Sequence, residues 1–154
     1  MLTILLLALI TFCYAGYNLF IKISASHVPE SATTTVLATF VMQSMTLVPT
    51  LALFSVLKLQ GGHVFKLDPS AFLWAAIAGV SIGAAEVAYY YLFSGIGQAR
   101  VIEANVAVPI IVGGTVGVVV LASALLLKEA FGWPQMVGTA LIMGGVFMTF
   151  LFPK

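Results

Sequence analysis

Charge is what this chain of 154 residues has least of: only 7% of it is Asp, Glu, Lys or Arg. A soluble domain carries about a quarter, so a soluble globular fold is excluded. The few charges are nearly balanced, six basic against five acidic for a net of +1, which leaves no basic surface for nucleic acid. There is a single cysteine, Cys13, inside an apolar stretch. It offers no disulfide or metal framework and reads as a small buried apolar residue. His27 and His63 fall in separate loops, which argues against a metal site. No Ser/His/Asp set, phosphate loop or pair of carboxylates stands at membrane depth, so the sequence reads as a non-enzyme that needs no cofactor.

Long hydrophobic runs make up the rest. The chain is 62% hydrophobic with a mean hydropathy of +1.16, the composition of an all-α integral membrane protein. At about 20 residues per helix, breakers and charges divide it into five expected transmembrane helices in one transmembrane domain. They are Leu2–Ile23, Thr33–Leu57 with a kink expected at Pro49, Ser70–Ser94 opened by Asp68-Pro69, Val101–Leu127, and Pro134–Phe152. The first run has no positive n-region, is too long for a signal peptide and ends in Lys22 without a small-residue cleavage site, so it reads as a span.

An odd number of spans puts the two termini on opposite faces of the membrane. With the N-terminal side called face A, Lys58, Lys66 and Lys128 lie on face A, and Lys22, Arg100 and Lys154 on face B. Orientation normally follows an excess of Lys and Arg on the cytoplasmic side, and three against three is no excess. Either one orientation wins by a margin that counting does not see, or chains insert both ways up and pair antiparallel.

Against this background Glu86 stands out, a carboxylate inside the apolar run from Phe72 to Phe93. A charge at that depth costs on the order of 3 kcal/mol or more and marks an interior or an aqueous cavity. By the helical rise Glu86 lies roughly 12 Å from face B, and Gln43 roughly 15 Å deep from the same face. Asn18 sits a turn above Lys22, and Arg100, Glu103 and Asn105 enter the fourth span from face B. Polar groups thus gather in one half, as a cavity open to one face needs. Gly79, Gly83, Glu86, Tyr90 and Phe93 share one face of the third span, and Tyr14, Asn18 and Lys22 one face of the first. Each has a plainer reading beside the binding one. The tyrosines suit an interfacial belt, Lys22 suits snorkelling to headgroups, and Gln43 and Asn18 suit interhelical hydrogen bonds. A structural Glu86 needs a partner, and Lys22 and Arg100 are the candidates. Gly79-x-x-x-Gly83 and Gly113-x-x-x-Gly117 suit close helix packing.

From Ala88 onward the chain reads Ala-Tyr-Tyr-Tyr-Leu-Phe-Ser-Gly-Ile-Gly-Gln-Ala-Arg, then Val108-Pro109, then Leu125-Leu126-Leu127-Lys128-Glu129, and finally Gln135-Met-Val-Gly138-Thr-Ala-Leu-Ile-Met-Gly144-Gly145-Val. This resembles the EamA-like repeat of the drug/metabolite transporter superfamily, with its proline early in the fourth helix, its leucine-rich run closing on Gly-Glu, and its Q-x-x-G-x-x-L-I-x-x-G-V fifth helix. Gly16 to Lys22 fits the small-residue-to-lysine pattern of the first helix. The sequence departs in having Lys128 where the motif has Gly, and in having one repeat where common members have two. The resemblance implies a carrier of small metabolites or drugs in the cytoplasmic (inner) membrane of a bacterium or archaeon, working by alternating access. It also places Glu129 in a structural turn. Two-repeat members have inverted halves, which a single repeat regains by pairing with an inverted copy of itself or a paralogue, so the resemblance implies a dimer, a homodimer of inverted or parallel chains or a heterodimer with a paralogue. In that carrier Glu86 would bind a proton or cationic substrate, Gln43 and Asn18 would orient it, and Tyr90 would pack against it, with Lys22 and Asn105 in the same polar half. The alternatives are a non-transporting membrane subunit, in which Glu86 pairs with a base, and a flippase for lipid or lipid-linked sugar.

Overall fold

A computed structural model of the protein describes residues 1–29, 31–98 and 101–152. They form the helices α1 (Leu2–Ser26), α2 (Ala32–Met45), α3 (Leu47–Gln60), α4 (Pro69–Ser94), α5 (Ala104–Ala122) and α6 (Trp133–Leu151), with a π-helical turn at Ser123–Leu127. α2 and α3 together make one span, so five helical segments are long and apolar enough to cross a membrane. The chain is thus an all-helical, multi-pass membrane protein. Arg100 and Lys154, two of the basic residues assigned to face B, lie outside the described residues, as does Glu30.

The element ends differ from expectation for identifiable reasons. α1 continues to Ser26, because no breaker intervenes before Pro29. The second span is interrupted at Thr46 rather than bent at Pro49. A helical proline clashes with the carbonyl four residues back, here Met45, so the discontinuity precedes the ring. Thr46 covers the gap by donating its hydroxyl to the Gln43 carbonyl at 2.7 Å. α4 starts where expected, with the Asp68 carboxylate accepting from the Ser70 amide at 2.9 Å as an N-cap. The Ser70 hydroxyl and amide hold the Asp68 carboxyl below its usual range. Before α4 the loop folds back, bringing the Phe65 ring 4.5 Å from that of Phe54.

The fourth span starts at Ala104 rather than Val101, with Glu103 extended at its N-cap (φ −78°, ψ 147°). Its α-helix ends at Ala122 and widens into the π turn. Lys128 then takes a left-handed conformation, φ 54°, and the Glu129 amide returns to the Ser123 carbonyl at 3.2 Å. This places Glu129 in the closing turn, as the resemblance implied.

Contacts divide the chain into two compact units, Met1–Val101 and Ile102–Lys154. In the first, α4 packs against both α1 and α2. Its interior is largely polar and aromatic: Asn18, Thr35, Thr39, Glu86, Ser94, Tyr89, Tyr90 and Phe93 are buried together with Ile21 and Ala25, while most Leu, Ile and Val side chains line the outside. That inversion of a soluble protein suits a hydrocarbon solvent, where leucine gains little from burial and polar groups need internal partners. On α2 the hydroxyls of Thr35 and Thr39 donate to the carbonyls of Ser31 and Thr35 at 3.0 and 2.9 Å. These small, self-satisfied residues let α4 approach. Gly95 ends α4 with φ 74°, and a Cβ there would lie 2.5 Å from Val101 Cγ2, so both conformation and space call for glycine.

The second unit is the pair α5 and α6. A Cβ on Gly113 would lie 2.0 Å from Val146 Cγ2, and one on Gly117 would lie 2.8 Å from Met143 Sδ. The Gly113-x-x-x-Gly117 spacing is therefore the seam of this pair. α6 begins after Gly132, whose amide donates to Gln135 Oε1 at 2.7 Å.

Candidate functional site

The seam between α1 and α4 is a ladder of side-chain hydrogen bonds. The Tyr17 hydroxyl donates to Glu86 Oε2. The Tyr89 hydroxyl donates to Asn18 Oδ1 at 2.5 Å, and the Tyr90 hydroxyl to Ser24 Oγ at 2.9 Å. Glu86, Tyr89, Tyr90 and Phe93 recur at three- and four-residue spacing on α4, and Tyr17, Ser24 and Asn18 meet them from α1. Asn18 is held in turn by donating Nδ2 to the Tyr14 carbonyl at 2.7 Å. Aromatic contacts brace the ladder. The Tyr17 ring lies 5.9 Å from that of Tyr89 and 6.4 Å, edge-on, from that of Tyr14, and Tyr89 lies 4.8 Å from Phe93. The Lys22 ammonium sits 4.9 Å from the centre of the Phe93 ring, close enough for cation–π attraction.

Beside this seam, between α1 and α2, lies a cavity of about 1220 Å³. Phe12, Cys13, Tyr17, Phe20 and Ser24 of α1 form one wall, and Thr34, Leu37, Val41, Met42 and Met45 of α2 the other. Tyr90 of α4 also lines it, and the break at Thr46 and Pro49 borders it. No charged side chain is among its described lining residues. Its polar groups are few, with Ser24, His27 and Thr34 near the α1–α2 turn. The Nδ1 of His27 lies 2.8 Å from the Ile23 carbonyl, which can only accept, so Nδ1 donates there.

The structure brings Glu86, Asn18 and Tyr90 onto one ladder, with Lys22 at its Phe93 end. Gln43 reaches α4 from the other side, donating Nε2 to the Gly83 carbonyl at 3.1 Å, an interhelical bond of the plainer kind. Asn105 belongs to the second unit, where it lines a cleft of about 150 Å³ with Glu103, Val106, Thr149 and Phe152. Of the partners considered for Glu86, Arg100 lies outside the described residues. Three ladder residues went unmarked as site residues in the sequence: Tyr17, Ser24 and Tyr89. Tyr17 and Ser24 are seven residues apart, whereas their partners Glu86 and Tyr90 are four apart, so no common spacing in the sequence announced the pairing.

Comparison with curated proteins and with solved structures returned no match. The model of the EamA-like transporter family matches residues 1–151 as a single repeat. With five membrane-length helices already in place, the match covers nearly the whole chain, and the protein belongs to the EamA-like transporter family.

Proposed function

We propose that the protein is a secondary carrier of small metabolites or drugs across the cytoplasmic membrane, working by alternating access as an antiparallel pair of chains. The observation that carries this reading is the cavity of about 1220 Å³ beside a buried carboxylate. A purely structural bundle has little use for either, since a carboxylate in hydrocarbon is costly and ligand sites are apolar concavities with a few convergent polar groups. Glu86, Asn18 and Tyr90 form the polar edge of the cargo path, Gln43 holds α4 in place, and Lys22 stands at the Phe93 end of the ladder, while Asn105 lines a separate cleft of the second unit. Five spans per chain and three basic residues on each face support pairing with an inverted copy, the arrangement that two-repeat carriers build into one chain.

The test uses the purified chain in liposomes. With an imposed pH gradient, wild type concentrates at least one compound from a panel of small metabolites and lipophilic drugs, and Glu86→Gln abolishes the gradient-driven part of that uptake. Unchanged gradient-sensitive uptake in Glu86→Gln removes Glu86 from coupling. No uptake of any compound by wild type counts against a carrier.

A second reading, flipping of a lipid or lipid-linked sugar, draws on one specific observation. Cavity-lining Phe12, Phe20 and Leu37 are themselves 78%, 71% and 60% exposed on the flank of the first unit, which suits cargo that enters sideways. Scrambling of a fluorescent phospholipid by the same liposomes separates the two.

A further inference from the structure

We propose that Tyr17 closes Glu86 off from the α1–α2 cavity, and that the cavity's occupant is an apolar molecule whose one hydrogen-bond-donating head group replaces the Tyr17 hydroxyl on the carboxylate. This rests on the reading of the cavity as the cargo site and adds to it a gate and a cargo class.

Two tyrosines line the cavity, and they do different things. Tyr90 donates to Ser24, another lining residue. Tyr17 lines the cavity and donates to Glu86. Glu86 is not a lining residue and is 9% exposed. Tyr17 therefore borders both the cavity and the carboxylate, and a cavity occupant meets Glu86 when the Tyr17 hydroxyl gives way. The ring has its own supports in Tyr14 and Tyr89, so the hydroxyl can be lost without the side chain losing its place.

The cargo class follows from what each partner requires. Phe12, Phe20, Leu37 and Met42 give the cavity apolar walls, and no charged side chain is among its described lining residues. The body of the occupant must be apolar, because a polar body would be desolvated there without compensation. Displacing Tyr17 leaves a buried carboxylate oxygen without its donor, which costs the desolvation of that group unless a new donor arrives. An acceptor-only head group, such as an ester or ketone, cannot supply one. A hydroxyl or an amine can.

The chain contains its own reporter. Cys13 is its one cysteine, and it lies in the cavity wall, exposed rather than buried as its apolar surroundings in the sequence suggested. In nanodiscs, alkylation of Cys13 reads the cavity, and modification of Glu86 by a hydrophobic carbodiimide, located by peptide mass mapping, reads the carboxylate. Tyr17→Phe raises the rate of Glu86 modification about tenfold or more over wild type, as loss of one hydrogen bond to a charged group allows. Tyr90→Phe does not raise it, and both variants keep the wild-type Cys13 rate. Equal Glu86 rates in wild type and Tyr17→Phe overturn the gate.

Should Tyr17→Phe fail to fold, wild type decides. Dodecanol slows both reactions, and dodecane, which lacks a donor, slows only that of Cys13. Equal protection of Glu86 by the two probes overturns the cargo class. Failure of both probes to protect Cys13 refutes the cavity as a binding site, which is distinct from failure of the gate.

Discussion

A carboxylate in the bilayer interior costs on the order of 3 kcal/mol by insertion scales, and one hydrogen bond to a charged group returns about 1.5–3 kcal/mol. The two are of similar size, so the Tyr17 hydroxyl goes far toward holding Glu86 in place. At the other end of the chain Lys128 makes a different compromise. Its left-handed φ of 54° is strained for a residue with a Cβ, by about 1 kcal/mol, and the repeat it resembles has glycine there. Lys128→Gly should raise the thermal unfolding midpoint in detergent, by the equivalent of about 1 kcal/mol. A lowered midpoint would mean that the lysine side chain makes contacts worth more than the strain. Glu86 was legible in the sequence because a lone charge in an apolar run is conspicuous. Tyr17 was not: tyrosines are common near membrane surfaces, and its bond joins residues 69 apart in the chain, which local spacing does not reveal.

Among the elements, all five spans could be read from hydropathy and breakers, and the end points were less legible because they depend on backbone geometry. Pro49 was visible as a breaker, yet the break falls at Thr46, since the clash is with the carbonyl one turn earlier. The π turn at Ser123–Leu127 has no proline or glycine to announce it. The glycine seam of α5 and α6 was readable as spacing, but only coordinates tell which glycine bears the contact. Gly113 faces Val146, while adjacent Gly114 has nothing within 4 Å of a Cβ built there. Gly113→Ala should therefore destabilise the protein by about 1–3 kcal/mol, because the β-branched Val146 has little room to yield. Gly114→Ala should be neutral or slightly stabilising through helix propensity. Thermal unfolding of the two variants side by side checks this, and equal losses would place the seam elsewhere.

Taken whole, the chain has mainly polar and aromatic residues inside its first unit and mainly aliphatic residues outside, with few charges and, by the span count, three basic residues on each face. Composition made the membrane assignment legible. The cavity itself was not legible, since of the candidate site residues only Tyr90 lines it and its volume arises from how α1 and α2 lie on α4. The central claim is that this single repeat works as a pair of oppositely inserted chains, recovering the inverted symmetry of two-repeat carriers. The most direct measurement is a side-specific topology reporter fused after Lys154. Signal from both sides of the membrane, shifting to one side when a single lysine is added to the Lys58–Lys66 connection, is the result the account predicts. Signal from one side only in the unmodified chain would contradict it.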